Sequence, residues 1–195
     1  MIEVEKKCLA TPQFLDFLKH NAIHLGERVL EDIYFDFEDL KLVQNDIWLR
    51  QRNGKYELKI PMSDHIKSDV YEEIEDETQI LERLNIKNFD NLTILATLIS
   101  HRQKFHIDNF HIDIDKITSP GTDLHYNIME VELMIESTEQ YTKAQDKILQ
   151  FMNEHGLKNE VMNGKIFEFF RLQRRDVFDL LKVNPHFAHC IIEKL

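Results

Sequence analysis

The stretch "IEVEKK", residues 2–7, alternates in character along its length. Successive side chains of a strand point to opposite faces. Glu3, Glu5 and Lys7 therefore share one face, opposite Ile2, Val4 and Cys8. Two carboxylates side by side on a strand repel each other, and the arrangement is tolerable when something cationic stands between them.

The same parity recurs along the chain. In 46–52 Trp48, Arg50 and Arg52 share a face; in 55–61 Lys55, Glu57 and Lys59 oppose Tyr56, Leu58 and Ile60. Asn53-Gly54 between these two segments is a strong hairpin-turn signal. Glu73 and Glu75 pair within 69–76. Arg102, Lys104 and His106 oppose Phe105 and Ile107, and His111, Asp113 and Asp115 oppose Phe110, Ile112 and Ile114, about a short turn at Asp108-Asn109. Glu130 and Glu132 oppose Val131, Leu133 and Ile135 in 126–136. With 29–37, these segments make eight strands, antiparallel by hairpin logic.

An antiparallel sheet with one wet face would also alternate. Here, however, the charged faces carry almost no Ser, Thr, Asn or Gln, and they segregate into acidic and basic strands. That pattern points to an enclosed cavity lined by both signs, suited to a polyanion with metal ions between. Barrels enclose ligands in this way, with helices over the apolar outer face. Helical periodicity is read over 10–26, with Thr11 as N-cap, Pro12 in the first turn and Gly26 past the end. It is also read over 77–85, 89–99, 138–155 and 164–182, while the tail 183–195 is left unassigned.

Composition narrows the class. A chain of 195 residues without a Gly/Ser/Pro-rich linker or repeat reads as one domain, 1–195. A net charge of −11 disfavours nucleic acid as a partner. Two cysteines, Cys8 and Cys190, do not make a disulfide framework and fit a reducing compartment. The first residues do not read as a signal peptide and no apolar run is long enough for a bilayer span, so a cytoplasmic location without membrane contact is expected. His186, His189 and Cys190 lie close in sequence but lack the companion pair of a closed zinc site. His101, His106 and His111 are expected at the surface or behind the site.

"IEVEKK" resembles the ExExK signature of the CYTH superfamily, the triphosphate tunnel metalloenzymes. Similar segments follow in that family's order: "DIYFD", "IWLRQR", "YELKIP", "YEEIED", "ISHRQKF", "HIDIDK", "MEVELMIES" and "NGKIFEFFRL". Within the superfamily the likeness runs to the thiamine-triphosphatase branch, through "WLRxR", "YxELK", "EVE" and a lysine opening the C-terminal helix. It extends from residue 1 to about 182. The resemblance implies an α+β fold: an eight-stranded antiparallel barrel forming a tunnel, with helices on the outside. It also implies a triphosphate bound inside with Mg²⁺ (Mn²⁺ being possible).

The same resemblance suggests roles. Glu3, Glu5, Glu130, Glu132 and Asp113 are candidate metal ligands, since Mg²⁺ prefers carboxylates, water and phosphate oxygens. Glu5 is also a candidate catalytic residue; Glu73 and Asp113 either hold a second metal or orient the attacking water. Lys7, Arg50, Arg52, Lys59, Arg102 and Lys165 are candidate phosphate ligands, against the alternative of balancing neighbouring acids. Tyr34 is either near the site or core packing. Trp48 either stacks on an organic substrate group or packs the barrel end. Glu57, Glu75 and Asp115 have the right parity and can pair with tunnel bases; Lys104 has parity alone. The expected activity is hydrolysis of the terminal phosphoanhydride of thiamine triphosphate. The alternatives are an inorganic or broad triphosphatase, a class IV-like adenylate cyclase, or a polyphosphate-binding module without turnover.

Overall fold

The computed structural model describes residues 2–61, 71–160, 162–184 and 187. Eight strands form one antiparallel sheet: β1 Ile2–Cys8, β2 Ile23–Asp36, β3 Trp48–Arg52, β4 Lys55–Pro61, β5 Tyr71–Ile74, β6 Thr93–Ile107, β7 Phe110–Thr118 and β8 His125–Ile135. Their order is β1-β8-β7-β6-β2-β3-β4-β5. Between them run α1 Pro12–Asn21, α2 Lys41–Gln44, α3 Glu77–Leu84, α4 Tyr141–Glu154, α5 Lys165–Gln173 and α6 Arg175–Lys182. The sheet curls until its edges approach each other: Glu3 on β1 lies within electrostatic reach of Lys59 on β4 and Glu73 on β5. Among the described residues no ladder joins β1 to β5.

The two faces of the sheet are buried by different helices. The convex face presents Val4, Phe105, Ile112, Val131 and Leu133 to Phe14 and Leu18 of α1 and Ile148 and Phe151 of α4. Leu49, Leu58 and Ile74 meet Ile80 of α3. The C-terminal pair α5 and α6 has a different seat. Ile166, Phe169, Phe170, Val177, Phe178 and Leu181 pack on Tyr34, Trp48, Leu98, Ile117, Tyr126 and Ile128, all of tunnel parity. These helices therefore fill one end of the concave side and leave the charged remainder as the tunnel.

Three sequence-based element assignments are corrected. Residues 89–99 are not helical: Thr93 onward belongs to β6, where Thr93, Ile94, Thr97 and Ile99 pair with β2. β-branched residues fit a pleated surface, and pairing with a long neighbour overrides the apolar run that imitates a helix. The first helix starts as expected, with Thr11 Oγ1 accepting from the Phe14 amide at 3.2 Å, but stops at Asn21. Gly26, φ 108°, is a register shift inside β2 rather than a helix end. Residues 164–182 make two helices, broken at Arg174 with φ −135° and ψ 66°. The short α2 was not anticipated; its first amides are held by the buried Asp36 carboxylate, which accepts from Leu42 and Val43 at 3.0 and 2.9 Å. Residues 186, 189 and 190, weighed above for zinc, lie outside the described residues, as does the start of the 69–76 strand.

Candidate active site

Register decides which charges meet. β8 lies between β1 and β7, so Glu5 opposes Glu132 and Lys7 opposes Glu130, while Glu130 in turn opposes Asp113. Directly opposed side chains on one face stand about 4.5–5.5 Å apart at Cβ. Two carboxylate triads result, Glu3–Glu5–Glu132 and Asp113–Glu130–Glu132, each offering ligand oxygens within 4.8 Å of one another. Glu132 belongs to both.

The electrostatics of these acids differ from one to the next. Burial, then the charges of Asp113 and Glu3, pushes Glu132 up to about 9. Burial and Glu5 push Glu3 up to about 7. Burial and Glu5 also raise Glu130. Burial would raise Glu5 as well, but the Lys7 ammonium in contact with it prevails and its carboxyl is lowered. A crowd of carboxylates whose protons are held this tightly is short of positive charge.

The fit to a hard divalent cation has a second support. Asp113 is 1% exposed, and its Oδ1 is buried without a hydrogen-bond partner. An orphaned buried carboxylate oxygen costs on the order of 1–3 kcal/mol. Beside two further carboxylates, such an oxygen fits an oxygen-ligated cation.

A cationic wall lies across β3, β4 and the start of α5. Arg50 donates to Glu57 at 2.7 Å and lies opposite Tyr34 in register. Arg52 grips Asp32 with Nε and Nη2 at 2.7 and 3.1 Å. Lys59 pairs with Glu73 at 2.5 Å and sits opposite Trp48 in register. Lys165, at the start of α5, reaches Asp32 and lies 3.4 Å from Ser100 Oγ. The Tyr126 hydroxyl donates to the Asn163 carbonyl at 2.7 Å, fixing the entry into that helix.

The structure brings the sequence-derived candidates Glu3, Glu5, Lys7, Tyr34, Arg50, Arg52, Lys59, Glu73, Asp113, Glu130, Glu132 and Lys165 to the concave face. Arg102 is there too, but its guanidinium is committed to acids: both oxygens of Asp115 at 2.8 and 2.6 Å, Glu130 at 3.1 Å, and Asp113. Lys104 adds a 3.1 Å pair with Asp113. Glu57 and Asp115 pair with tunnel bases, whereas Glu75 lies exposed just past β5. Trp48 is only 8% exposed, with edge contacts to Phe167 and Phe187. His106 and His111 are ring neighbours at the end of the β6–β7 hairpin, 4.9 Å between centroids.

Sequence reasoning passed over Asp32. It is 0% exposed and surrounded by Arg52, Lys165 and Arg50, which hold its carboxyl well below the usual range against the effect of burial. The available signal was parity, since Asp32 shares a face with Tyr34.

A family model described as CYTH domain matches residues 1–162. Solved structures share the fold. A protein from Pyrococcus horikoshii OT3 is 20% identical, with TM-score 0.58 over 80% of this chain and 92% of that one. A Vibrio parahaemolyticus protein, named as a candidate adenylate cyclase, is 16% identical with TM-score 0.60 over 86% and 98%. A Hippeastrum protein, named as a candidate adenylyl cyclase that reveals a dominant triphosphatase activity, is 17% identical with TM-score 0.60 over 87% and 94%. No helix among the described residues is long and apolar enough to cross a membrane.

Proposed function

The chain belongs to the CYTH domain family, and on that premise we propose that it hydrolyses the terminal phosphoanhydride of thiamine triphosphate, with Mg²⁺ as cofactor. The observation that carries the hydrolase reading is the pair of carboxylate triads sharing Glu132, set in one tunnel with Arg50, Arg52, Lys59 and Lys165. A pure anion binder gains nothing from so many acids. Glu3, Glu5, Glu130, Glu132 and Asp113 are the residues that would hold Mg²⁺ or Mn²⁺. When bound, the ion neutralises phosphate charge and eases the deprotonation of water.

The remaining work falls to side chains. Arg50 and Arg52, whose Nε sides are held by Glu57 and Asp32, offer their remaining N–H groups to non-bridging phosphate oxygens, and Lys7, Lys59 and Lys165 add point charges. They hold the chain in line and neutralise charge as it shifts toward the leaving group. Tyr34 flanks Arg50, opposite it in register. Lys59 lowers the Glu73 carboxyl against the effect of burial, so Glu73 stays ionised and orients a water. The water oxygen bonds to the terminal phosphorus as the bond to the bridging oxygen breaks. The diphosphate ester leaves with the electron pair, and the water's proton passes to a tunnel carboxylate. Arg102 holds Asp113, Asp115 and Glu130, and reaches phosphate only by exchanging one of them.

The thiamine ester is favoured by the end of the tunnel next to Lys59 and Arg50. There the Trp48 indole and the Tyr71 hydroxyl donate to the Asp46 carboxylate, and Phe167 and Phe187 pack against Trp48. An aromatic wall with a carboxylate suits an aromatic cation, and inorganic triphosphate has no group for it. One observation favours inorganic triphosphate instead: Trp48 is covered by Phe167 and Phe187. Phosphate release with Mg²⁺ from thiamine triphosphate, inorganic triphosphate and ATP, compared side by side, tests the proposal. Preference for the thiamine ester is expected. Preference for inorganic triphosphate overturns the substrate, and cyclic AMP with pyrophosphate from ATP overturns the hydrolase.

A further inference from the structure

Asp46 precedes β3 and closes α2 in the left-handed region, with φ 58°. Its amide bonds the Val43 carbonyl at 3.2 Å. Glycine or asparagine is the usual occupant of such a helix end, because a Cβ is strained there. Aspartate carries that strain here, and its side chain is the reason the structure supplies. Asp46 Oδ1 accepts from the Trp48 indole Nε1 at 2.8 Å. The Tyr71 hydroxyl donates to both carboxylate oxygens, at 3.0 and 2.9 Å. One carboxylate thus ties together the ring donors of two strands, β3 and β5.

Those rings stand beside the phosphate wall. Trp48 is two residues from Arg50 and opposite Lys59 in register, and Tyr71 is two residues from Glu73 on β5. An indole held by its N–H keeps a single ring plane, and a charge-assisted hydrogen bond is stronger than a neutral one.

We infer that Asp46 is a specificity-positioning residue: through Trp48 and Tyr71 it sets the aromatic wall that receives the organic, cationic part of the substrate. The inference rests on the thiamine-ester reading above.

Trp48 is the protein's single tryptophan, so its emission reports on this wall directly. The test combines KM and kcat for thiamine triphosphate and inorganic triphosphate with the emission change on adding thiamine diphosphate and Mg²⁺. In the wild type, thiamine diphosphate is expected to shift the emission. Asp46→Ala is expected to raise KM for thiamine triphosphate about tenfold, the scale of one lost charge-assisted bond. Its kcat should stay within about twofold, its KM for inorganic triphosphate should hardly move, and the emission change should weaken in parallel. Asp46→Asn keeps an acceptor oxygen and tolerates the left-handed backbone, so it should restore most of the loss. Tyr71→Phe, which keeps the ring, should fall between.

Unchanged KM for thiamine triphosphate in both Asp46→Ala and Tyr71→Phe overturns the inference, as does an equal rise for both substrates. A wild type that hydrolyses inorganic triphosphate but neither cleaves the thiamine ester nor changes its emission overturns the substrate reading itself. That result appears before any variant is made.

Discussion

Asp32 and Lys165, 133 positions apart in the chain, meet inside the tunnel as an ion pair. The contact ties the start of the C-terminal helix to the strand that also anchors Arg52. It places an ammonium, itself largely shielded from water, next to the cationic wall of Arg50 and Arg52 and compensates a carboxylate that water does not reach.

Lys165→Ala removes a proposed phosphate ligand and one of the cations around Asp32. KM for the triphosphate is expected to rise about tenfold, roughly 1.4 kcal/mol, with a smaller fall in kcat. Steady-state kinetics on the purified variant check this. A lysine needed only for packing would lower the melting temperature and leave KM alone.

Glu5 sits in the Glu3–Glu5–Glu132 carboxylate triad, a candidate metal site, and against Lys7. Glu5→Gln keeps its size but loses the charge, and turnover is expected to fall by a factor of about 100 or more. Calorimetric titration of the variant with Mg²⁺ should show weakened binding alongside the lost activity. Wild-type turnover would refute the assignment.

Arg102 compensates three carboxylates, two of them almost wholly buried. Truncating one partner of a buried pair strands the other, at a cost of about 3–5 kcal/mol. Arg102→Gln should lose stability on this scale in a urea melt without divalent ions. Added Mg²⁺ should recover part of it, because the stranded Asp113 and Glu130 are the ion's own candidate ligands. A melt that is unchanged would show that the ring of acids does not depend on this guanidinium.

The raised acids set a pH dependence. An ordinary glutamate titrates near 4.5, against about 7 for Glu3 and about 9 for Glu132 in the metal-free fold. Between these limits the folded protein binds more protons than the unfolded chain, so stability falls as pH rises. Metal binding requires the deprotonated carboxylates and strengthens with pH. Melting temperatures without divalent ions should therefore drop from about pH 5 to about pH 9, and Mg²⁺ should flatten or reverse the slope. A flat metal-free profile would mean that these acids ionise freely.

Much of this site was legible as parity. Alternation alone placed Glu3, Glu5, Arg50, Arg52, Lys59, Asp113, Glu130 and Glu132 on one face, because a strand has only two faces. The Asn53-Gly54 turn and the Thr11–Pro12 helix start were local signals and held locally. Residues 89–99 misled because a short apolar run satisfies helix and strand alike, and only the partner strand β2 decides between them. Asp32 was passed over because nothing singles it out from Glu31 and Asp36 in the same largely apolar strand until its partners are known.

What the sequence by itself determined is the sorting of side chains into a charged and an apolar face, a consequence of the period of two of an extended strand. What only the tertiary structure decided is which charges meet. Glu132 stands between Glu5 and the β7 strand because β8 pairs with both β1 and β7. Lys165 reaches Asp32 because α5 packs into the concave side of the sheet. Strand order, register and the seat of the last helices are fixed by burying apolar surface across the whole chain, and no local stretch carries that information.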